Sequence, residues 1–364
     1  MAGTTNHYNP DYVIHPGEYL EEVLESREIK KRDFAERIGL TTKAVSQIIN
    51  GKTLYSPDVA LMLEKTLGIS ARIWMNLAES YQLFKAQEKE RKNLETEKTK
   101  RWLERFPISD LRRLGVISSD RKPEVVADYL LRFFEVSRPD VWDAYNKTRA
   151  FAYRKSDKFR ASEEAIAVWL HLAEKKASLL ETQPFDKAHF TSAVDTIRSL
   201  TVLEPAEFFS RMVALCQAAG VALVIVPELA GTHISGAARW LSSSKALIAL
   251  SLRYRTNDHF WFTFFHEAGH LLLHGKKNVY LDSDRADGIA EEEEADHFGS
   301  SILIPEEVYR QFLAEDSFSR PRIEAFAAGI GIHPGIVVGR LQHDKVIKFD
   351  CHNTLKQKID LSSF

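Results

Sequence analysis

Cysteine is nearly absent: the 364 residues hold two, Cys216 and Cys351, far apart in the chain. That excludes a disulfide framework and a zinc ribbon built on cysteine pairs, and it fits a reducing cytosol. Charge of one sign is not in excess either. Lys and Arg number 49 against 51 Asp and Glu, so no chain-wide attraction to nucleic acid or anionic lipid exists and any basic surface is local. Long apolar runs are missing. The longest, residues 221–226 and 246–252, read as buried strands, far short of the ~20 residues a membrane span needs. Residues 1–8 lack a basic stretch followed by an apolar one, so no secretory signal is expected. A cytoplasmic protein without a membrane partner is the expectation.

What is present is ordinary globular composition, 44% hydrophobic and 27% charged, and length enough for two or three domains. The pattern divides it into residues 10–84, short helices with tight turns; 85–105, a charge-dense helical linker; 106–219, a helical middle region with apolar positions at helical spacing; 220–345, where strands give way to long helices; and a tail, 346–364. The fold class is mainly α (α+β), with a small sheet near the C-terminus.

In the first part, residues 33–38 form a short helix ended by Gly39, and Thr41 or Thr42 caps a second over 43–49. Two short helices at a tight glycine turn make a helix-turn-helix. Ala35 lets them approach; Val45, Ile48 and Ile49 face inward. Thr42, Lys43, Ser46, Gln47, Asn50 and Lys52 are left outward, and such side chains suit phosphate and base-edge contacts. Residues 57–67 and 72–83 supply supporting helices.

The sharpest signal is His266-Glu267-Ala268-Gly269-His270. Positions i and i+4 share one helix face, so both imidazoles can bind one ion. Glu267 beside them can take a proton from water and pass it to a leaving amine. A core helix with two satisfied histidines is the plainer alternative, but a helical glycine and buried polar groups make it costly. His274 lies about 12 Å along the axis from His266, too far to share the ion, and reads as a helix-end or supporting residue. Leu273 stands where a metzincin has glycine, which excludes that class. The third ligand falls in Glu291-Glu-Glu-Glu-Ala-Asp-His-Phe298, read as preceding a helix over 295–304. Glu292 and Asp296 share a face, so Glu292 can ligate while Asp296 orients a histidine; Glu293 is the fallback and Glu294 points away. Two histidines, one glutamate and an open position make a catalytic zinc site with one Zn2+ per chain. Tyr254, His233, Arg239 and His297 are weak candidates for stabilising an oxyanion. Residues 323–342 read as two helices with a tight turn, packing to close the cleft.

Two resemblances rest on these residues. His15-Pro-Gly-Glu-Tyr-Leu, Arg32-Asp-Phe-Ala-Glu-Arg-Ile-Gly-Leu, Val45-Ser-Gln-Ile-Ile-Asn-Gly-Lys52 and Ile73-Trp-Met-Asn-Leu resemble the HigA-type antitoxin branch of the XRE (phage-repressor-like) helix-turn-helix family. That implies a five-helix domain that binds a double-stranded operator, commonly as a homodimer, with a cognate toxin as a further partner. Phe262-Thr-Phe-Phe-His-Glu-Ala-Gly-His-Leu-Leu-Leu-His274 followed by Glu-Glu-Glu-Ala-Asp-His-Phe-Gly-Ser-Ser-Ile-Leu-Ile-Pro305 is similar to the ImmA/IrrE metallopeptidases. That implies a gluzincin-like α+β domain, an edge strand over 246–251 along which substrate adds, and a repressor or antitoxin as the protein cut. The combined expectation is a transcription regulator fused to a zinc endopeptidase; the alternative is an antitoxin-like repressor whose metal domain senses or docks without proteolysis.

Overall fold

A computed structural model describes residues 13–150, 162–274, 280–283, 290–315 and 317–360. Residues 1–8 and the last four of the tail lie outside them. The chain forms two compact units, Met1–Thr99 and Lys100–Phe364.

The first unit holds five helices in the order expected: α1 (Pro16–Ser26), α2 (Lys31–Ile38), α3 (Thr42–Ile49), α4 (Pro57–Leu67) and α5 (Ala71–Leu94). Local chemistry sets their ends. Gly39 takes the left-handed conformation, φ 76°, that closes α2. Thr41 caps α3 by accepting from the Ala44 amide at 3.1 Å, and Ser56 caps α4 ahead of Pro57. Phe34, Ala35, Ile38, Val45, Ile48, Ile49, Leu63 and Trp74 share the core. The α5 helix runs well past residue 83 into the charge-dense stretch, whose good helix formers need no apolar face to continue a helix already begun. The expected linker does not stay solvated throughout: Trp102 and Leu103, at the end of α6 (Glu97–Leu103), are buried.

The second unit continues with α7 (Ile108–Arg113), α8 (Pro123–Phe133), α9 (Pro139–Ala150), α10 (Glu163–Ser178), α11 (Lys187–Ser199) and α12 (Pro205–Ala218). The sheet follows: β1 (Val221–Ile225), β2 (Ile234–Ser242), β3 (Lys245–Leu250) and, after α13 (Asn257–Leu273), β4 (Tyr280–Ser283). Four helices close the unit: α14 (Ala290–Leu303), α15 (Glu306–Ala314), α16 (Arg320–Ile330) and α17 (Pro334–His343). The strand order is β1-β3-β2-β4, with β1 parallel to β3 and the other pairs antiparallel.

This order corrects one expectation. Residues 246–251 do not form an edge strand: β3 pairs on both sides, with β1 and with β2. Its all-apolar sequence is that of a strand covered on both faces, and among the described residues β1 and β4 are the edges. A second correction concerns the acidic run, which does not precede α14 but forms its first turns. Carboxylates there face the positive end of the helix dipole, so the run favours a helix start.

Pleating assigns the two sheet faces. Val221, Leu223, Ile225, Ala246, Ile248 and Leu250 join one core with Phe260, Trp261, Phe264, Phe265 and Leu272 of α13. Each such large side chain stabilises the fold by about 1.5–3 kcal/mol. The opposite face meets α10: Trp169 Nε1 donates to the Val226 carbonyl at 3.0 Å and Lys176 Nζ to that of Ile225 at 2.8 Å. The α13 helix is thus buried almost throughout its length, a stiff platform for its histidines. The two helices expected over 323–342 are α16 and α17, and α17 packs on the N-terminal half of α13: a Cβ at Gly339 would lie 2.6 Å from Asp258, and one at Gly335 2.7 Å from Asn257 Oδ1.

Candidate metal centre and helix-turn-helix face

His266 and His270 project from the same face of α13, their Nε2 atoms 2.9 Å apart. Glu292, in the first turn of α14, brings Oε2 to 3.3 Å from His266 Nε2 and 3.5 Å from His270 Nε2. Donors bound at roughly 2.0–2.1 Å around one tetrahedral ion lie roughly 3.3 Å from one another; the three atoms match that spacing. Among the described residues this is the single cluster of three such side chains that could hold a metal ion.

The protonation states also suit a metal. Burial disfavours the charged imidazolium and is the largest influence on His270, pushing its pKa below the usual value, so the ring is neutral and able to ligate. Burial would raise the Glu292 carboxyl, but hydrogen bonds from His266 and His270 outweigh it and hold the pKa at about 2. A neutral imidazole and an ionised carboxylate are both donors used by open catalytic zinc sites.

Backbone approach makes the convergence possible. A Cβ on Gly299 would sit 3.0 Å from the His266 amide nitrogen, and one on Gly269 3.3 Å from the Ala295 Cα. Helices α13 and α14 therefore cross through small residues, which brings Glu292, two turns before Gly299, over the histidines. The sequence signal for this crossing is the small residue at i+7 from Glu292.

Glu267 is fully buried and lies against β2 at Gly236, where a Cβ would come within 2.8 Å of Oε1. Neither Gly236 nor its neighbour Thr263 was singled out from sequence, because β2 itself has no clear alternation to reveal which residues face α13. Asp296 places Oδ1 2.8 Å from His266 Nδ1. Glu293 lines an open surface crevice of about 700 Å3 with His297, away from the three converging atoms. Glu294 points to His274 instead, Oε2 to Nε2 3.1 Å.

The weak oxyanion candidates are occupied elsewhere. Arg239 lies on the face of the sheet opposite α13 and pairs with Glu174 of α10. His233 Nδ1 meets Arg253 Nη2 at 3.3 Å. Tyr254 stacks on His259, centroids 4.1 Å apart.

In the first unit, Thr42, Lys43, Asn50 and Lys52 are exposed, whereas Ser46 and Gln47 are half-buried. Asn50 Nδ2 donates to the Ser46 carbonyl at 2.8 Å and to Ser46 Oγ at 3.1 Å, so these two side chains hold each other.

A helix-turn-helix family model matches residues 20–74, and the model of the IrrE N-terminal-like domain, of the M78 peptidases, matches residues 222–323. The uncharacterized HTH-type transcriptional regulator YddM of Escherichia coli (strain K12) is 28% identical over 72 residues, 20% of this chain and 77% of that protein. Two solved structures are similar. A candidate antidote protein of a plasmid maintenance system from Nostoc punctiforme is 32% identical and covers 22% of this chain and 89% of its own, TM-score 0.22. An addiction module antidote protein of a HigA family from Coxiella burnetii is 34% identical and covers 23% and 92%, TM-score 0.21. No helix among the described residues is long and apolar enough to cross a membrane. The chain thus joins an N-terminal segment that matches the XRE-type helix-turn-helix model to a C-terminal segment that matches the IrrE-like model of the M78 peptidases.

Proposed function

We propose that this protein is an operator-binding transcriptional regulator whose second unit is a zinc-dependent endopeptidase, with one Zn2+ per chain and a repressor or antitoxin as its substrate. The observation that carries the reading is the convergence of His266, His270 and Glu292 with the buried carboxylate of Glu267 on the adjacent position of α13. The three converging residues would hold the ion, which when bound supplies Lewis acidity toward water and a peptide carbonyl. Glu267 takes the proton of the attacking water and returns it to the departing amine nitrogen. The Asp296 carboxylate, 2.8 Å from His266 Nδ1, favours the hydrogen on that nitrogen and leaves Nε2 for the ion. The buried α13 excludes bulk water from the Glu267 carboxylate and strengthens its interactions.

DNA contact falls to the α3 helix. Lys43 contacts phosphate, with Thr42, Asn50 and Lys52 beside it, and Gln47 reads a base edge. The curated relative, named as an HTH-type transcriptional regulator, supports regulation of transcription; the substrate class follows from the ImmA/IrrE resemblance.

Two assays test the proposal. The zinc-loaded chain, incubated with repressor and antitoxin proteins of the same cell, cuts one of them, and a chelator stops the cut. Repression with no cleavage of any of them overturns the peptidase and leaves a sensing or docking module. On operator DNA, Lys43→Ala weakens binding across sequences and lowers the salt slope by about 1; unchanged affinity and slope would contradict the placement of α3 at the phosphates.

A further inference from the structure

The three ligands and Asp296 leave one neighbouring pair of side chains without a task. His274 closes α13 one turn beyond His270, and its ring is 5% exposed. Its Nδ1 lies 3.1 Å from His270 Nδ1. Its other nitrogen, Nε2, lies 3.1 Å from Glu294 Oε2 on α14. A chain of contacts therefore leads from the proposed ligand His270 through His274 to a carboxylate.

The proton arithmetic along this chain has one solution. An imidazole that presents Nε2 to a metal carries its hydrogen on Nδ1 and must donate it. The acceptor for His270 is then His274 Nδ1, which must be bare. His274 carries its own hydrogen on Nε2 and donates it to the Glu294 carboxylate. One tautomer of each ring satisfies both bonds, and that tautomer of His270 is the one that ligates. The other histidine, His266, has the Asp296 carboxylate directly beside its Nδ1, at 2.8 Å. A plain surface ion pair between His274 and Glu294 would have little consequence, but a ring buried against a ligand is not at the surface.

We propose that His274 and Glu294 are positioning residues: together they hold His270 in the tautomer and orientation that bind the ion. The proposal rests on the reading of His266, His270 and Glu292 as ligands. The dyad touches neither substrate nor the reacting atoms, and it acts on the ion through His270 alone.

Zinc affinity of the full chain, measured by competition with a chromophoric chelator, tests it, with Co2+ absorption as a second readout of ligand geometry. His274→Ala is expected to bind zinc about 10–100-fold more weakly and to change the Co2+ spectrum. Glu294→Ala is expected to weaken binding too, but to add nothing in the His274→Ala background, because the carboxylate acts only through the ring. Glu294 is exposed, so Glu294→Ala keeps its metal-free helix content and thermal midpoint; the test stands even if His274→Ala unfolds. Wild-type affinity in a folded Glu294→Ala, or independent multiplying losses in the double variant, would overturn the dyad. Absence of zinc binding by the unaltered chain would instead overturn the ligand reading beneath it.

Discussion

Glu267→Gln is expected to cut the rate of peptide cleavage by roughly 10²–10⁴-fold, the range a positioned general base contributes, while zinc content stays at the wild-type level. The amide has the carboxylate's size, so it fits the space that Gly236 leaves beside Oε1. It cannot take a proton from water. Stability should not fall, because a neutral amide is less costly to bury than a charged group at a position with no exposure. Cleavage rate, metal analysis and a thermal midpoint on one preparation separate the outcomes. Cleavage at the wild-type rate would assign the proton transfer to another group, and loss of the metal along with activity would make Glu267 a structural residue.

Gly299→Val carries the second large effect. The helix gains about 0.3–0.5 kcal/mol in propensity, but overpacking a close contact costs about 1–3 kcal/mol. Clash therefore wins: a Cβ here already meets the His266 amide nitrogen at 3.0 Å, and valine adds two methyls beyond it. The α14 helix must move outward, taking Glu292 with it, so zinc affinity falls together with stability. Gly329→Ala on α16 is the control, since a Cβ there meets nothing within 4 Å; it should leave zinc affinity unchanged and stability equal or higher. Denaturant unfolding of the metal-free chain and a zinc titration check both variants. A Gly299→Val protein as stable as wild type, with full affinity, would show that the α13–α14 crossing does not position the carboxylate.

Much of this was legible in local chemistry. Gly39, Thr41, Ser56 and Pro57 punctuate the first unit, and each acts over a few residues, so α2, α3 and α4 could be read to within a residue or two. The spacing of His266 and His270 and the shared face of Glu292 and Asp296 are properties of a single helix each. What could not be read depends on pairing across the chain. Strand β2 contains Gly236 and a Ser-Gly-Ala-Ala run suited to close packing against α13, not to alternation, and β4 has four residues. With β2 invisible, nothing in the residues opposed the edge position that the resemblance implied for β3. The same reason hid Gly236 and Gly299: their roles are distances to another element. His274 was visible as a helix-end or supporting residue, but its partner Glu294 was read as pointing away because one helix was considered without its neighbour.

The central claim is that two imidazoles of α13 and one carboxylate of α14 hold a single divalent ion. Zinc content by mass spectrometry after loading and dialysis tests it most directly, on the wild type, Glu292→Ala and Glu293→Ala. Glu292 sits within 3.5 Å of both ring nitrogens, whereas Glu293 lines the crevice outside. The expected result is about one zinc per chain in the wild type and in Glu293→Ala, and almost none in Glu292→Ala. A wild type that retains no zinc, or a Glu292→Ala variant that retains as much as the wild type, would contradict it.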